Sequence, residues 1–441
     1  MLNPSTPKPS NPGIDPVAGP APQRKKRLLA RLHDVRGNTE QLVATLGPED
    51  QNLQSMPEAS PAKWHRAHTT WFFETFVLQP FKAGYQAFNP AFAELFNSYY
   101  NAIGEQHARA RRALISRPDV ETVSEYRQSV GQALDELIKA CPENVFDKLV
   151  PLIELGLNHE QQHQELMLTD LKHAFHFNPL APAIGHAPPV PAQAACADPA
   201  WLEFDGGTVE IGAVGDRFCF DNELPRHRVY LNNRYQLANR PVTCGEFSNF
   251  IDAGGYADPL LWLADGWAWI QQNNAQAPLY WSSCAGDRRI YTLSGWREMD
   301  PSEPVCHLNF YEASAFAEWS GCRLPTEAEW EAAAVSQSCD GHFADQRRYH
   351  PQPIEAAGKQ LPAGMFGDVW EWTSSPYAPY PGFQAAAGAI GEYNGKFMAN
   401  QMVLRGGSCA TPKGHVRATY RNFFYPVDRW QFSGLRLARD A

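Results

Sequence analysis

Two histidines four residues apart, His159 and His163 in LNHEQQHQEL (157–166), are the first residues of this chain whose spacing could do chemistry. On a helix, positions i and i+4 share a face with Cβ atoms roughly 6 Å apart, so both imidazoles can reach one metal ion. With Glu160 between them the segment spells H-E-x-x-H, the pattern in which two zinc-bound histidines flank the general base of a metallopeptidase. The surrounding stretch is hydrophilic, and a solvated helix face would look the same. The pair alone leaves metal binding open.

A peptidase site needs a third ligand. In the extended form H-E-x-x-H-x-x-G-x-x-H, the Gly and His positions are filled by Leu166 and Thr169. A glutamate on a following helix is also missing, since none occurs between Glu165 and Glu203. His173 and His176 fit neither spacing. A better third ligand stands in KWHRAHTTWFFETF (63–76), where Trp64, His68, Trp71, Phe72 and Thr75 share one stripe. His65 falls off that stripe and is the weaker candidate. A histidine on an aromatic stripe is more often a core residue than a ligand. A helical bundle, however, lets facing helices donate inward side chains to a shared ion. Imidazole suits zinc, copper, iron and nickel alike, so these donors do not choose the metal.

The elements that would position these residues differ between the two halves of the chain. From residue 23 to 178 the pattern is helical, with Leu28, Leu29, Leu32 and Val35 and then Leu42, Val43 and Leu46 at helix spacing. A second helix is expected after EASPAKW with Pro61 in its first turn, a third over 121–140, and a fourth over 143–175 that Pro151 kinks or interrupts. Four such helices are the inventory of a bundle. Residues 1–22 read as a Pro-rich disordered leader and 179–200 as a Pro/Ala-rich linker. From Trp201 to the end, short strand-like runs, glycines and most of the tryptophans surround helical windows at CGEFSNFIDAG and FYEASAFAEWSG. The expected class is α+β, with an irregular second domain over 201–441.

Bulk properties narrow the function classes. The formal charge of −10 argues against a nucleic-acid backbone or an anionic membrane as the main partner. No apolar run approaches a membrane span, and no apolar signal core stands at the N-terminus. Nine cysteines, an odd number without a C-x-x-C pair, suit reduced thiols and a cytoplasmic location.

Taken together, SPAKWHRAHTTWFFE and HEQQHQEL resemble the two motifs of the DinB-like four-helix domain of the ergothioneine-synthesising sulfoxide synthases. The runs ELPRHRVYLNNRYQLANRPVTCGEF, RLPTEAEWEAA, GDVWEWTSSPY, VLRGGS and FSGLRLARD resemble their second domain, which has the formylglycine-generating-enzyme fold related to C-type lectins. The resemblance covers nearly all of residues 25–440. It implies a mononuclear non-haem Fe(II) held by His68, His159 and His163. It also implies an O2-dependent reaction that joins a thiol sulfur to the imidazole C2 of hercynine (Nα-trimethylhistidine) as a sulfoxide.

The same resemblance suggests roles for other residues. Gln162 matches a position that contacts the substrate imidazole, a role its amide can fill by hydrogen bonding. Tyr99 and Tyr100 resemble the adjacent tyrosines of one bacterial branch, in which a tyrosine is the proton donor; Tyr99 is the favoured one. Arg109 and Arg112 match arginines that take a carboxylate of the thiol substrate, a geometry a guanidinium suits. Asn422 matches a contact to the hercynine carboxylate. Phe423 and Phe424 stand where the actinobacterial branch has Trp-Asp, and that aspartate belongs to γ-glutamylcysteine recognition. Its absence favours free cysteine as sulfur donor. Arg421 and Arg429 could meet carboxylates of the substrate or simply pair with Asp428 and other acids.

Neighbouring readings fit less well. Formylglycine-generating enzymes use a cysteine pair after RGGS, where this chain has only Cys409, and they lack the helical domain. Ovothiol synthases carry an additional methyltransferase domain, whereas this sequence ends at Ala441. A zinc metallopeptidase lacks its third ligand. A lectin-like binding module leaves the histidines unexplained.

Overall fold

The computed structural model describes residues 19–185, 199–215, 217–282, 288–354 and 361–441. The expected leader over 1–22 lies almost wholly outside these residues, as does most of the expected linker. Four long helices build the N-terminal half: α1 (Ala21–Val43), α2 (Ala62–Phe73), α3 (Val120–Ala140) and α4 (Glu143–His176). Asp119 caps α3 by accepting from the Thr122 N–H at 2.9 Å, which satisfies one of the otherwise orphaned first-turn donors. Pro61 occupies the cap position of α2, one residue ahead of the first turn.

Pro151 does not interrupt α4, which runs continuously through it. Pro151 and Asp147, whose carbonyl loses its partner, both sit on the solvent-exposed face. Water can satisfy that carbonyl, so the helix tolerates the proline there.

The bundle core is made from the apolar stripes of all four helices, including Leu28 and Leu32, Trp71 and Phe72, Val130 and Leu134, and Ile153 and Leu157. Every residue of α2 is buried, polar ones included. It runs directly into a π-helical turn, Glu74–Leu78. The buried Glu74 carboxylate accepts from the Tyr85 and Tyr126 hydroxyls, each at 2.7 Å. Such wide turns recur near functional sites, and this one seats Phe76 against Trp71 and Tyr100.

The second half is built from short strands. Tyr235–Ala238 is the centre of a three-stranded antiparallel sheet, flanked by Trp201–Phe204 from the start of the domain and Ala438–Asp440 from its end. A four-stranded sheet orders Ser433–Gly434, Trp370–Pro376, Met402–Arg405 and Asn422–Phe424. Helices Cys244–Asp252 and Phe310–Trp319 occupy the expected windows. Two more, Ala264–Asn273 and Glu327–Ala334, join them. The described cysteines are free thiols. Among the described residues no helix is long and apolar enough to cross a membrane.

One stripe of α4 docks the two halves together. Gln162 donates to the Tyr420 hydroxyl at 2.8 Å. The Glu165 carboxylate accepts from Trp370 Nε1 at 2.8 Å and from the Ser408 and Thr411 hydroxyls at 2.6 Å. Two turns on, Lys172 Nζ lies 2.7 Å from His307 Nε2. These spacings place one helix in both domains' hydrogen-bond networks. His159 and His163, on another face of α4, turn toward His68 on α2.

Candidate metal centre and interdomain cleft

His68, from α2, and His159 and His163, from α4, each offer a ring nitrogen within 4.8 Å of the others. All three rings are buried. His68 Nδ1 donates to the Phe96 carbonyl at 2.6 Å, so its proton is placed there and Nε2 carries a lone pair. That Nε2 lies 3.2 Å from His159 Nε2. His163 Nδ1 is engaged by His65 Nδ1 at 2.7 Å, which leaves its Nε2 available. His159 Nδ1 has no hydrogen-bond partner among the described residues, and the Phe72 ring packs on the His159 ring with centroids 5.0 Å apart.

Burial pushes the pKa of all three imidazoles down: His159 to about 4, and His68 and His163 well below the ordinary value, helped in each of these two by the neighbouring His159. The rings are therefore neutral near pH 7 and present lone pairs, the form a metal needs. A cluster of buried, neutral, convergent imidazole nitrogens fits a divalent cation.

A stack of planar groups fixes His68. The Arg112 guanidinium lies 3.3 Å from the Trp64 ring centroid. Trp64 stacks on His68 at 4.5 Å and 13°, and His68 on Trp71 at 5.6 Å and 14°. Arg112 is buried, and its Nη atoms donate to Ser60 Oγ at 2.8 Å and Ser98 Oγ at 2.9 Å. Arg109 sits differently. It donates to the Tyr99 hydroxyl at 3.0 Å and to the Glu58 carbonyl, and it lines the cleft described next.

Glu160, which by motif alone would be the base of a peptidase, turns away from the imidazoles. Its fully buried carboxylate accepts from Thr39 Oγ1 at 2.6 Å and pairs with Arg127 at 2.7 Å and Arg36 at 3.5 Å. It ties α4 to α1 and α3.

Beside the histidines a cleft of about 180 Å³ opens between the domains. None of the three imidazoles lines it; Gln162, one residue from His163, does. So do Tyr99, Arg109, Asn422, Phe423 and Phe424. Phe423 stacks on Tyr377 at 4.0 Å, and Phe424 packs on Trp430. Tyr100 turns inward, buried against Trp71 and Phe76, and burial pushes its phenol pKa up. Arg421 pairs with Glu327 at 3.0 Å and Arg429 with Glu312 at 3.2 Å.

The cleft also contains residues that motif reading did not single out. Tyr420 meets Gln162, Tyr393 faces Tyr99, and Asp428 brings a carboxyl whose pKa burial pushes up to about 7. Tyr420 and Asp428 belong to the same loop as Asn422, Phe423 and Phe424, whereas Tyr393 comes from a separate segment with no local signature. The one available signal was an aspartate inside an aromatic-rich loop, DRWQF.

Comparison with known proteins agrees with this architecture. Residues 188–441 match the sulfatase-modifying factor enzyme 1-like domain. The hercynine oxygenase of Mycolicibacterium smegmatis is 32% identical, covering 94% of this chain and 99% of that protein. That of Mycobacterium tuberculosis is 31% identical, with the same coverage of 94% and 99%. Ergothioneine biosynthesis protein 1 of Schizosaccharomyces pombe is 24% identical over 51% of this chain and 28% of its own length. With a full-length relative above 30% identity and a matching second domain, this chain belongs to the hercynine oxygenase family of ergothioneine sulfoxide synthases and is an oxidoreductase.

Proposed function

We propose that this enzyme uses Fe(II), held by His68, His159 and His163, and O2 to join the sulfur of cysteine to the imidazole C2 of hercynine. The observation that carries this reading is the convergence of three neutral imidazoles beside an interdomain cleft that Gln162 of the same helix lines. Bound Fe(II) would supply the activation of O2 and of the thiol. The balance is one C–H and one S–H consumed, one C–S bond formed, one oxygen atom left on sulfur and the other released as water.

The chain's own residues bind and orient. The Gln162 amide donates to Tyr420, and its carbonyl oxygen, which has no partner among the described residues, is free to accept from a substrate imidazole N–H. Asn422 offers an amide toward the hercynine carboxylate. Arg421 is committed to Glu327, whereas Arg109 forms no direct ion pair among the described residues and feels the Asp428 carboxyl only at a distance. It therefore takes one carboxylate of the thiol substrate.

That single free guanidinium favours cysteine, with one carboxylate, over γ-glutamylcysteine, with two. An unmatched buried carboxylate costs several kcal/mol, on the order of 3. With Fe(II), O2 and hercynine present, cysteine and γ-glutamylcysteine offered together should give mainly the cysteine sulfoxide, as resolved by mass spectrometry. Dominance of the γ-glutamylcysteine product would reverse the donor assignment and leave the metal site untouched.

Tyr99 is the proton donor in this reading. Its hydroxyl accepts from Arg109, so its own O–H is free to point elsewhere in the cleft. A thiol oxidised without C–S bond formation ends as a sulfinic acid. Tyr99→Phe is expected to raise the share of cysteine sulfinic acid among products by up to about 10²-fold, the lower end of the 10²–10⁴ that a positioned acid contributes. Tyr100→Phe should change the ratio less, because Tyr100 packs in the bundle core. An unchanged product ratio in the Tyr99→Phe, Tyr100→Phe double variant would remove both phenols from the mechanism.

A further inference from the structure

We propose that His65 and Asp170 are positioning residues for His163, fixing which of its nitrogens is left to bind a metal. This rests on the metal-site reading above. His65 Nδ1 and His163 Nδ1 lie 2.7 Å apart, a distance that requires one proton between two ring nitrogens. The other nitrogen of His65, Nε2, lies 3.2 Å from Asp170 Oδ2. An ionised carboxylate only accepts, so His65 Nε2 carries a proton. A neutral imidazole carries one N–H, so His65 Nδ1 is a lone pair. The shared proton therefore belongs to His163 Nδ1, and His163 Nε2 is left as the ligand nitrogen.

The relay is anchored at its far end. Asp170 Oδ2 also accepts the Ser60 N–H at 2.8 Å, just ahead of α2. Asp170 and His163 lie seven residues apart on α4, on one face, while His65 stands three residues before His68 on α2. A single chain of hydrogen bonds thus ties the helix that carries His68 to the ligand on the facing helix. All three relay side chains are buried, so no water competes for the ring nitrogens. His68 obtains the equivalent service from the Phe96 carbonyl. Partners of this kind orient metal-bound histidines and set their tautomer, and losing them typically costs 10- to 100-fold in metal affinity.

The test uses the full-length metal-free protein titrated anaerobically with Co(II) against a competing chelator, following both affinity and the visible spectrum. His65→Phe keeps a ring but removes the acceptor; it is expected to weaken binding by about 10- to 100-fold and to alter the Co(II) bands. His65→Gln returns an acceptor oxygen and should recover most of the loss. Asp170→Asn, close to isosteric, should shift affinity in the same direction as His65→Phe. Wild-type affinity in His65→Phe would overturn the inference, as would equal losses in His65→Phe and His65→Gln that track a lower melting temperature of the metal-free protein. A wild-type protein that binds no Co(II) would instead overturn the metal-site reading itself.

Discussion

His68→Ala, His159→Ala and His163→Ala proteins are each expected to lose bound Fe(II) and to form no sulfoxide above background, against about one Fe(II) per chain for the wild type. The reason is that the described structure offers this ion three nitrogens within 4.8 Å and no carboxylate among them. With two neutral donors left, the site has neither the charge nor the ligand number to hold a divalent cation against water. His68→Ala carries a second effect. Removing a ring packed between Trp64 and Trp71 opens a cavity, at a cost of about 3–5 kcal/mol for a large aromatic-to-alanine change. His68→Phe separates the two, since it keeps the stack and deletes only the nitrogens. Iron content by a colorimetric chelator and product by mass spectrometry decide the matter. Full turnover in any one variant would remove that histidine from the ligand set. A zinc-loaded protein that cleaves peptides would restore the peptidase reading of H-E-x-x-H at 159–163.

What the sequence made legible was the part governed by local geometry. The i,i+4 spacing of His159 and His163 and the stripe that includes His68 follow from the helix repeat alone, and so do the apolar faces of α1 and α3. Helix Glu327–Ala334 was not visible in this way. Its acids are buried rather than exposed, with Glu327 and Glu331 paired to Arg405 and Glu329 to Arg323, so no amphipathic stripe marks it. The same blindness left His65 as no more than the weaker ligand candidate. It lies off the aromatic stripe because it faces His163 and Asp170, polar partners more than 90 residues away in the chain. Arg109 and Arg112 were indistinguishable as RARR. They part company only because the 3-10 turn Arg109–Leu114 sends one into the cleft and the other under Trp64. Hydrogen bonding across the domain boundary, at Glu165 and Lys172, depends on the docked surface and leaves no periodic trace.

Glu160 provides the second large effect, and it is one of stability rather than of chemistry. Its carboxylate is fully buried and bound by Arg127, Thr39 and Arg36, residues of α3 and α1. Glu160→Ala leaves the Arg127 guanidinium, itself buried, with Glu40 as its remaining acid, and the loss expected from breaking such a pair is about 3–5 kcal/mol. Glu160→Gln should cost less, because an amide oxygen can still accept from Thr39. Burial alone would raise the Glu160 pKa, but Arg127, Arg36 and the Thr39 hydroxyl outweigh it and hold the folded carboxyl below its ordinary value. A carboxyl depressed in the folded state contributes stability that is fully present above its unfolded pKa, about 4.3, and is lost as pH falls through the folded value. The gap between wild type and Glu160→Gln in urea unfolding should therefore be widest near neutrality and close toward acid pH. Because the carboxylate points away from the imidazoles, folded Glu160→Gln protein should bind metal as the wild type does and retain turnover. A variant with wild-type stability at neutral pH but no activity would place Glu160 in the chemistry, as a peptidase base would be, and contradict the ion-pair role assigned to it.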